Sequence, residues 1–382
     1  MQRNEFHHRL DYNRLMAMSD LPYYLGFSFF PGIGPIRFDN LLKYFGSVKQ
    51  AYEAPSSKLQ SALGQSLGQK FITFRSSFEF EVEYKKITDK HIAVLTREDT
   101  RYPASFLNLS DPPICLYVKG ELASFHWNDE EENELYFAVV GTRTPTDYGK
   151  QIATKFSREL AEAGAIIVSG MAMGIDAAAH WAAISAKRRT IAFLGCGVNV
   201  IYPWVNRDLY HKIIDMGNLV ISEFPPEMTT LKGHFVSRNR LISGLSRGIL
   251  VAEGLKDSGS LITARYALTQ GKDVFAPPAP ITSDQSQAPN LLLKEGAKLV
   301  TEVGDILEEY DLKKQISVKN TLKNIPEEQK RLFQLLSQEA FTPDDLSRSL
   351  SAPVYQILTL LSSMELSGVV EKNASGKYQI KI

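Results

Sequence analysis

Residues 235–276, FVSRNRLISGLSRGILVAEGLKDSGSLITARYALTQGKDVFA, place one short apolar run, Gly248 to Glu253, between two segments with apolar residues at helical spacing. A nearly continuous apolar strand flanked by helices marks a parallel sheet covered on both faces. The same stretch carries polar groups where such a sheet would hold a ligand. Ser237 is a good N-cap, which predicts Arg238, Asn239 and Arg240 in the first turn of one helix. Ser258, Gly259 and Ser260 open a second helix just past the strand. Helix starts expose unpaired N–H groups and a partial positive charge, so both ends favour an anion. First-turn arginines oppose their own helix dipole, a conflict that a bound anion would relieve. No nucleophile, metal cluster or acid pair accompanies them, so the surface reads as a phosphate binder rather than a catalyst.

The same alternation extends on both sides. Strands are predicted at 135–140, 165–169, 190–194, 219–221, 248–252, 273–276 and 297–300, with helical patterns between them. The class is therefore α/β, a Rossmann-like, doubly wound and mostly parallel sheet. Ligands in such sheets sit beyond the C-terminal strand ends. After the first strand, Gly141 lets backbone approach a ligand, Thr142 offers a hydroxyl and Arg143 a planar fork suited to phosphate. There is no G-x-G-x-x-G fingerprint and no acidic residue closing the next strand, which disfavours a nicotinamide. No cofactor is implied. After the second strand, Gly170 and Gly174 bring a helix start close to the ligand side. Asp176 suits that helix dipole, and His180, four residues on, is expected to hydrogen-bond with it. An acid–base pair is the other reading of those two. Lys187, Arg188 and Arg189 precede the third strand, on the opposite rim by topology unless the sheet edge folds them forward. Phe235 or Tyr148 offers a ring for base stacking, and Phe235 fits a core role equally well.

Outside the sheet, residues 20–85 read as helical. Phe38, Leu41, Leu42 and Phe45 recur at helical spacing, Gly46 ends that helix and Ser47 caps the next. Pro31-Gly32-Ile33-Gly34-Pro35 between helices is similar to a helix-hairpin-helix turn that touches a phosphate backbone, and also fits a purely structural turn. Residues 92–120 look like a strand-bearing lead-in, and 129–134 an acidic solvated loop. Three helices and a hairpin after residue 325 read as a winged helix, a fold that docks on duplex DNA or on protein. The predicted organisation is a helical (helix-hairpin-helix/SAM-like) domain at 1–90, a Rossmann-like domain at 91–312, a linker at 313–325 and a winged helix at 326–382.

Lys plus Arg and Asp plus Glu both total 43 in the 382 residues, so net charge gives no general steering towards nucleic acid. Cys115 and Cys196 match no metal spacing, and Cys196 in Gly195-Cys196-Gly197 reads as a small buried residue. Residues 1–14 lack an apolar core with a cleavage site, and no run reaches the roughly 18 apolar residues of a membrane span. A cytoplasmic protein without a membrane span is expected.

Taken together, Gly141-Thr142-Arg143, Tyr148-Gly149, residues 169–180, Tyr202-Pro203, Ser222-Glu223, and residues 238–264 resemble the DNA-processing protein A family (DprA/Smf). The resemblance runs from the Pro31–Pro35 turn to the C-terminal winged helix. It implies a non-enzymatic single-stranded DNA-binding protein of natural transformation and recombination, one that protects incoming strands and helps load a RecA-type recombinase. It also implies a homodimer. Carried over, Arg143, Arg238 and Arg240 should contact DNA, and Arg189 matches a basic position of the family. Gly141, Thr142, Gly170, Gly174, Asn239, Ser258, Gly259 and Ser260 complete the expected DNA site. Pro277-Pro278-Ala279-Pro280 departs from the family's usual Pro-Gly, and the loop after it lacks the usual glycines. The alternative is an enzyme acting on a nucleotide or nucleoside phosphate, with Asp176, His180 or Glu253 as acid or base.

Overall fold

The computed structural model describes residues 20–129, 134–310, 325–373 and 375–380. The extreme N-terminus, the centre of the acidic run and all but Ile325 of the expected linker lie outside the described residues. The chain divides into two compact units, Met1–Thr301 and Glu302–Ile382.

In the first unit, six helices come first: α1 Leu21–Phe29, α2 Pro35–Phe45, α3 Val48–Tyr52, α4 Ser56–Leu63, α5 Gln65–Ser77 and α6 Phe80–Asp89. Gly46, at φ +94, ends α2, and the Ser47 hydroxyl accepts from the Gln50 amide to start α3. Aromatic rings fill the space between these helices, with Phe27 stacked on Phe71 at 5.0 Å. This layer shares its core with Ile92, Cys115 and Tyr117, so it is seated on the first strands of the sheet.

The sheet has nine strands: β1 Ile92–Thr96, β2 Cys115–Lys119, β3 Tyr136–Val140, β4 Ile166–Ser169, β5 Thr190–Phe193, β6 Leu219–Ser222, β7 Gly248–Val251, β8 Asp273–Ala276 and β9 Lys298–Leu299. Their order is β1-β2-β6-β5-β4-β3-β7-β8-β9. The seven strands from β6 to β9 run parallel, and β2 and β1 extend the β6 edge antiparallel. Every residue of β3 to β7 is buried, as strands covered on both faces require. The covering helices include α7 Asp147–Glu162, α8 Ile175–Ser185, α9 Arg207–Asp215, α10 Lys232–Leu245, α11 Gly259–Thr269 and α12 Gln287–Lys294. Chain order reverses between β3 and β7, and a doubly wound sheet opens its ligand crevice at such a point.

The second unit has its own core of Leu332, Phe333, Leu346, Ile357, Leu361 and Val370 among others. After α13 Val303–Glu309 come α14 Glu327–Gln338, α15 Pro343–Leu350 and α16 Val354–Leu366. Strands β10 Val370–Lys372 and β11 Tyr378–Ile380 pair antiparallel, and Phe341 bridges to Tyr378. Thr342 and Asp345 form a reciprocal capping box on α15. This is a winged helix.

Candidate nucleic-acid interface

The loops after β3 and β7 are stitched together at the reversal point. The Thr142 amide donates to the Glu253 carbonyl at 2.8 Å, and the Ile175 amide to the Thr142 carbonyl at 3.2 Å. Glu253, 1% exposed, accepts from the amide and hydroxyl of Thr146 at 2.9 and 2.5 Å. Thr146 in turn caps α7. Glu253 is thus a brace, with both oxygens engaged.

Above these loops lies a cleft of about 660 Å³. Glycine and small hydroxyl residues form part of its floor. Gly141, Thr142, Ser258, Gly259 and Ser260 line it, and the α11 start presents amides that helix geometry leaves without carbonyl partners. A side chain on Gly141 would lie 2.6 Å from Ile175, and one on Gly170 would lie 2.3 Å from Arg238. Gly174, at φ +79, sits behind the Thr142 and Arg143 backbone, where a Cβ would lie 2.4 Å from the Thr142 carbonyl oxygen. It shapes the cleft without lining it.

The rim supplies charge and rings. Arg143 is exposed, with its guanidinium 5.3 Å from the Phe235 ring centre. Tyr202 meets the other side of that cluster, its ring 5.4 Å from Phe235. Lys232, also exposed, lines the cleft at the start of α10, one turn before Phe235. Neither Arg143 nor Lys232 forms an ion pair among the described residues.

Arg238 lines the cleft but is only 4% exposed. It donates to the Gly170 and Phe193 carbonyls at the ends of β4 and β5, and to the Asn239 side chain at 3.1 Å. Burial lowers its pKa, and Asp176 is the main compensation. Asp176, buried as well, has its pKa raised by burial and held back first by Arg238, then by the amides of Ala172 and Gly170. Those amides donate to its carboxylate at 3.4 and 3.1 Å.

Several sequence expectations change here. The helix does not start at Ser237: α10 begins at Lys232, and the Ser237 hydroxyl donates to Glu223 at 3.1 Å instead of capping. The arginines therefore sit in its second and third turns, and the expected clash with the helix dipole is absent. Arg240 is not a ligand-facing group. At 1% exposure it donates to both Glu223 oxygens at 2.7 and 2.8 Å and to the Asp111 carbonyl at 2.8 Å, and its Nε lies 2.8 Å from the Asp111 carboxylate. Burial opposes its charge, and Glu223 and then Asp111 more than offset that, raising its pKa. Arg189 precedes β5, at the N-terminal rim of the sheet opposite the cleft, where it donates to the Ser124 carbonyl at 2.8 Å and to Glu134. Asp176 and His180 do not bond to each other. His180 Nδ1 pairs with the Thr190 hydroxyl at 2.7 Å, and that hydroxyl donates to the Ile167 carbonyl, so the ring nitrogen is the donor. Tyr148 is tied to the Pro278 carbonyl at 2.6 Å, which braces the loop after β8.

The sequence reading missed Lys232. With the helix extended back to its true start, Lys232, Phe235, Asn239 and Ile242 recur at helical spacing along one face, and all four line the cleft. Cys115 and Cys196 are buried free thiols. Among the described residues no group of three His, Cys, Asp or Glu could hold a metal, and no helix is long and apolar enough to cross a membrane.

Residues 93–311 match the family profile of DNA recombination-mediator protein A, and residues 320–376 match that of the DprA winged helix domain. The chain belongs to the DprA/Smf family. Protein Smf of Escherichia coli is 34% identical over 331 residues, covering 84% of this chain and 86% of that protein. The DNA processing protein DprA of Bacillus subtilis is 41% identical over 209 residues, covering 55% and 68%. The X-ray structure of DNA processing protein A from Streptococcus pneumoniae superposes with a TM-score of 0.63 at 35% identity, covering 75% of this chain and 96% of that one. In this DprA/Smf chain the winged helix carries an unexpected surface: α16 contains no Lys or Arg and exposes Val354, Tyr355, Leu358 and Leu366.

Proposed function

We propose that this protein binds single-stranded DNA in the β3–β7 cleft, protects incoming strands during natural transformation and recombination, and helps load a RecA-type recombinase as a cytoplasmic homodimer. The observation that carries the DNA reading is the cleft itself: a floor of glycine and small hydroxyl residues, two cations without an ion pair among the described residues, and the Phe235 ring under the Arg143 guanidinium. Phosphates are held by charge and amides without regard to sequence, and unpaired bases stack on rings. A base inside a duplex cannot reach such a ring, which favours a single strand. The family membership supports the role in DNA processing, and the recombinase and the dimer rest on it.

Catalysis is not part of the proposal. Glu253, Asp176 and His180, the groups that could move a proton, are buried and bonded to the fold. The winged helix is proposed to contact protein rather than duplex DNA, because α16 offers phosphate no cation.

A fluorescence-anisotropy titration tests this, using a labelled single strand and its duplex at two salt concentrations, for wild type and Arg143→Ala/Lys232→Ala. Single-strand preference lost in the double variant is expected. Equal affinity of both proteins, or equal binding of the duplex, would remove the cleft as the DNA site.

A further inference from the structure

Beyond the cleft, next to its Tyr202 wall, the chain exposes a group of rings and apolar side chains that packing does not explain. Trp204 is 67% exposed and Val205 71%, beside Tyr202 at 42%. A lone apolar side chain on a surface is ordinary, but a contiguous group beside a ligand cleft is not. The turn that carries it is held firmly. Asn206, 8% exposed, donates to the Met171 and Ala172 carbonyls at 2.8 and 3.1 Å, anchoring residues 204–206 to the loop that forms the cleft wall.

Guanidinium groups accompany the rings. Arg143 lies 5.3 Å from the Phe235 ring centre, Phe235 is 5.4 Å from Tyr202, and Arg207, three residues after Trp204, lies 5.5 Å from the Trp204 ring. The Arg207 partner is Asp208, at 3.3 Å and with both side chains largely in solvent, so that pair is weak. In the run Arg143, Phe235, Tyr202, Trp204, Arg207, a guanidinium stands at each end of three rings. A protein partner seated here would have to desolvate two arginines. A nucleic acid strand meets the arginines with phosphates and the rings with bases.

We infer that Trp204, backed by Arg207, is an outer stacking platform that takes a base of the same single strand after it leaves the cleft past Tyr202. The inference rests on the single-strand reading of the cleft. It makes the bound length greater than the cleft alone accommodates, and the outer contact is available to any base because every base has a stacking face.

The test compares labelled oligothymidylates of about 4 and about 16 nucleotides, within the range single-strand folds engage. Trp204→Leu should weaken the long strand by roughly fivefold or more and leave the short one unchanged, while Trp204→Phe should recover most of the loss. Tryptophan emission gives an independent readout. Trp127 is tied to the Arg101 carbonyl and Trp181, 40% exposed, lies on α8, so quenching by the long strand should be clearly smaller in Trp204→Phe than in wild type. Unchanged long-strand affinity in Trp204→Leu, or equal quenching in wild type and Trp204→Phe, overturns the inference. If that variant instead alters only the sedimentation of the protein, the patch joins copies of the chain and the inference is likewise wrong. Wild type that binds no single strand at either length refutes the cleft reading; loss confined to Arg143→Ala/Lys232→Ala refutes the platform alone.

Discussion

Replacing Arg240 by alanine removes a guanidinium at 1% exposure and strands the carboxylate of Glu223, whose side chain is 7% exposed, with the Ser237 hydroxyl at 3.1 Å as its remaining side-chain donor. Breaking a buried ion pair from one side costs about 3–5 kcal/mol, because the partner charge stays buried. For a unit of about 300 residues that corresponds to a fall in Tm on the order of 5–8 °C. Urea unfolding followed by circular dichroism measures the loss. Anisotropy on the folded protein at low temperature then measures DNA affinity and its salt slope, both expected to be near wild type. Arg240→Met with Glu223→Gln should recover part of the stability, since removing both charges removes the stranded one. The opposite pattern would refute the assignment: stability within about 1 kcal/mol of wild type and a salt slope reduced by about 0.7, the value for one lost phosphate contact on a single strand.

Further outcomes follow from the same geometry. Arg143, Lys232 and Arg238 are the cations lining the cleft, so the wild-type slope of log affinity against log salt should be about −2, with Lys232→Ala bringing it about 0.7 closer to zero; an unchanged slope would remove Lys232 from the phosphate path. Truncation at residue 320 removes the winged helix with its separate core and should leave single-strand affinity within about threefold, whereas a loss of tenfold or more would move DNA contact into the second unit. Acid should weaken the fold through His180, whose imidazole is pushed from 6.5 down to about 3 by burial and, secondarily, by Arg238. The unfolded chain takes up that proton below about 6.5 and the folded one does not. Stability is therefore complete above that pH and falls by about 1.4 kcal/mol per unit as pH drops towards 3. Urea midpoints at pH 7, 6 and 5 should decline less steeply in His180→Asn, and parallel curves would show that another group drives the loss.

The parallel sheet was legible because each of its strands is a short apolar run with a helical pattern after it, as at Gly248–Val251 and Asp273–Ala276. The antiparallel β1 and β2 were harder to place, since their edge position depends on pairing with β6, far off in sequence. The cleft floor was legible for a related reason: glycine and small hydroxyl residues after strands have few other uses. The roles of the arginines were not. Three arginines near strand ends look alike in sequence, and Asp111 and Glu223 lie 129 and 17 residues from Arg240, so only the fold decides which one is neutralised. The helix start was misplaced because Ser237 is a better N-cap by composition than Leu231, yet contacts of His234 with Phe224, Phe235 with Tyr202 and Ser237 with Glu223 tie down the added turn and override that local preference.

The two floor glycines restrict how such a cleft can drift to different degrees. Gly141 leaves no room for a side chain between Ile175 and the Glu253 backbone, so substitution there distorts the cleft before it can retune it, whereas Gly259 faces open space. The exposed positions Lys232 and Trp204 carry no such constraint. On the proposed single-strand reading, variation in grip, bound length and salt tolerance is channelled to the rim and away from Gly141. A saturation library scored by strand capture should accordingly be nearly blank at Gly141 and graded at Gly259 and the rim.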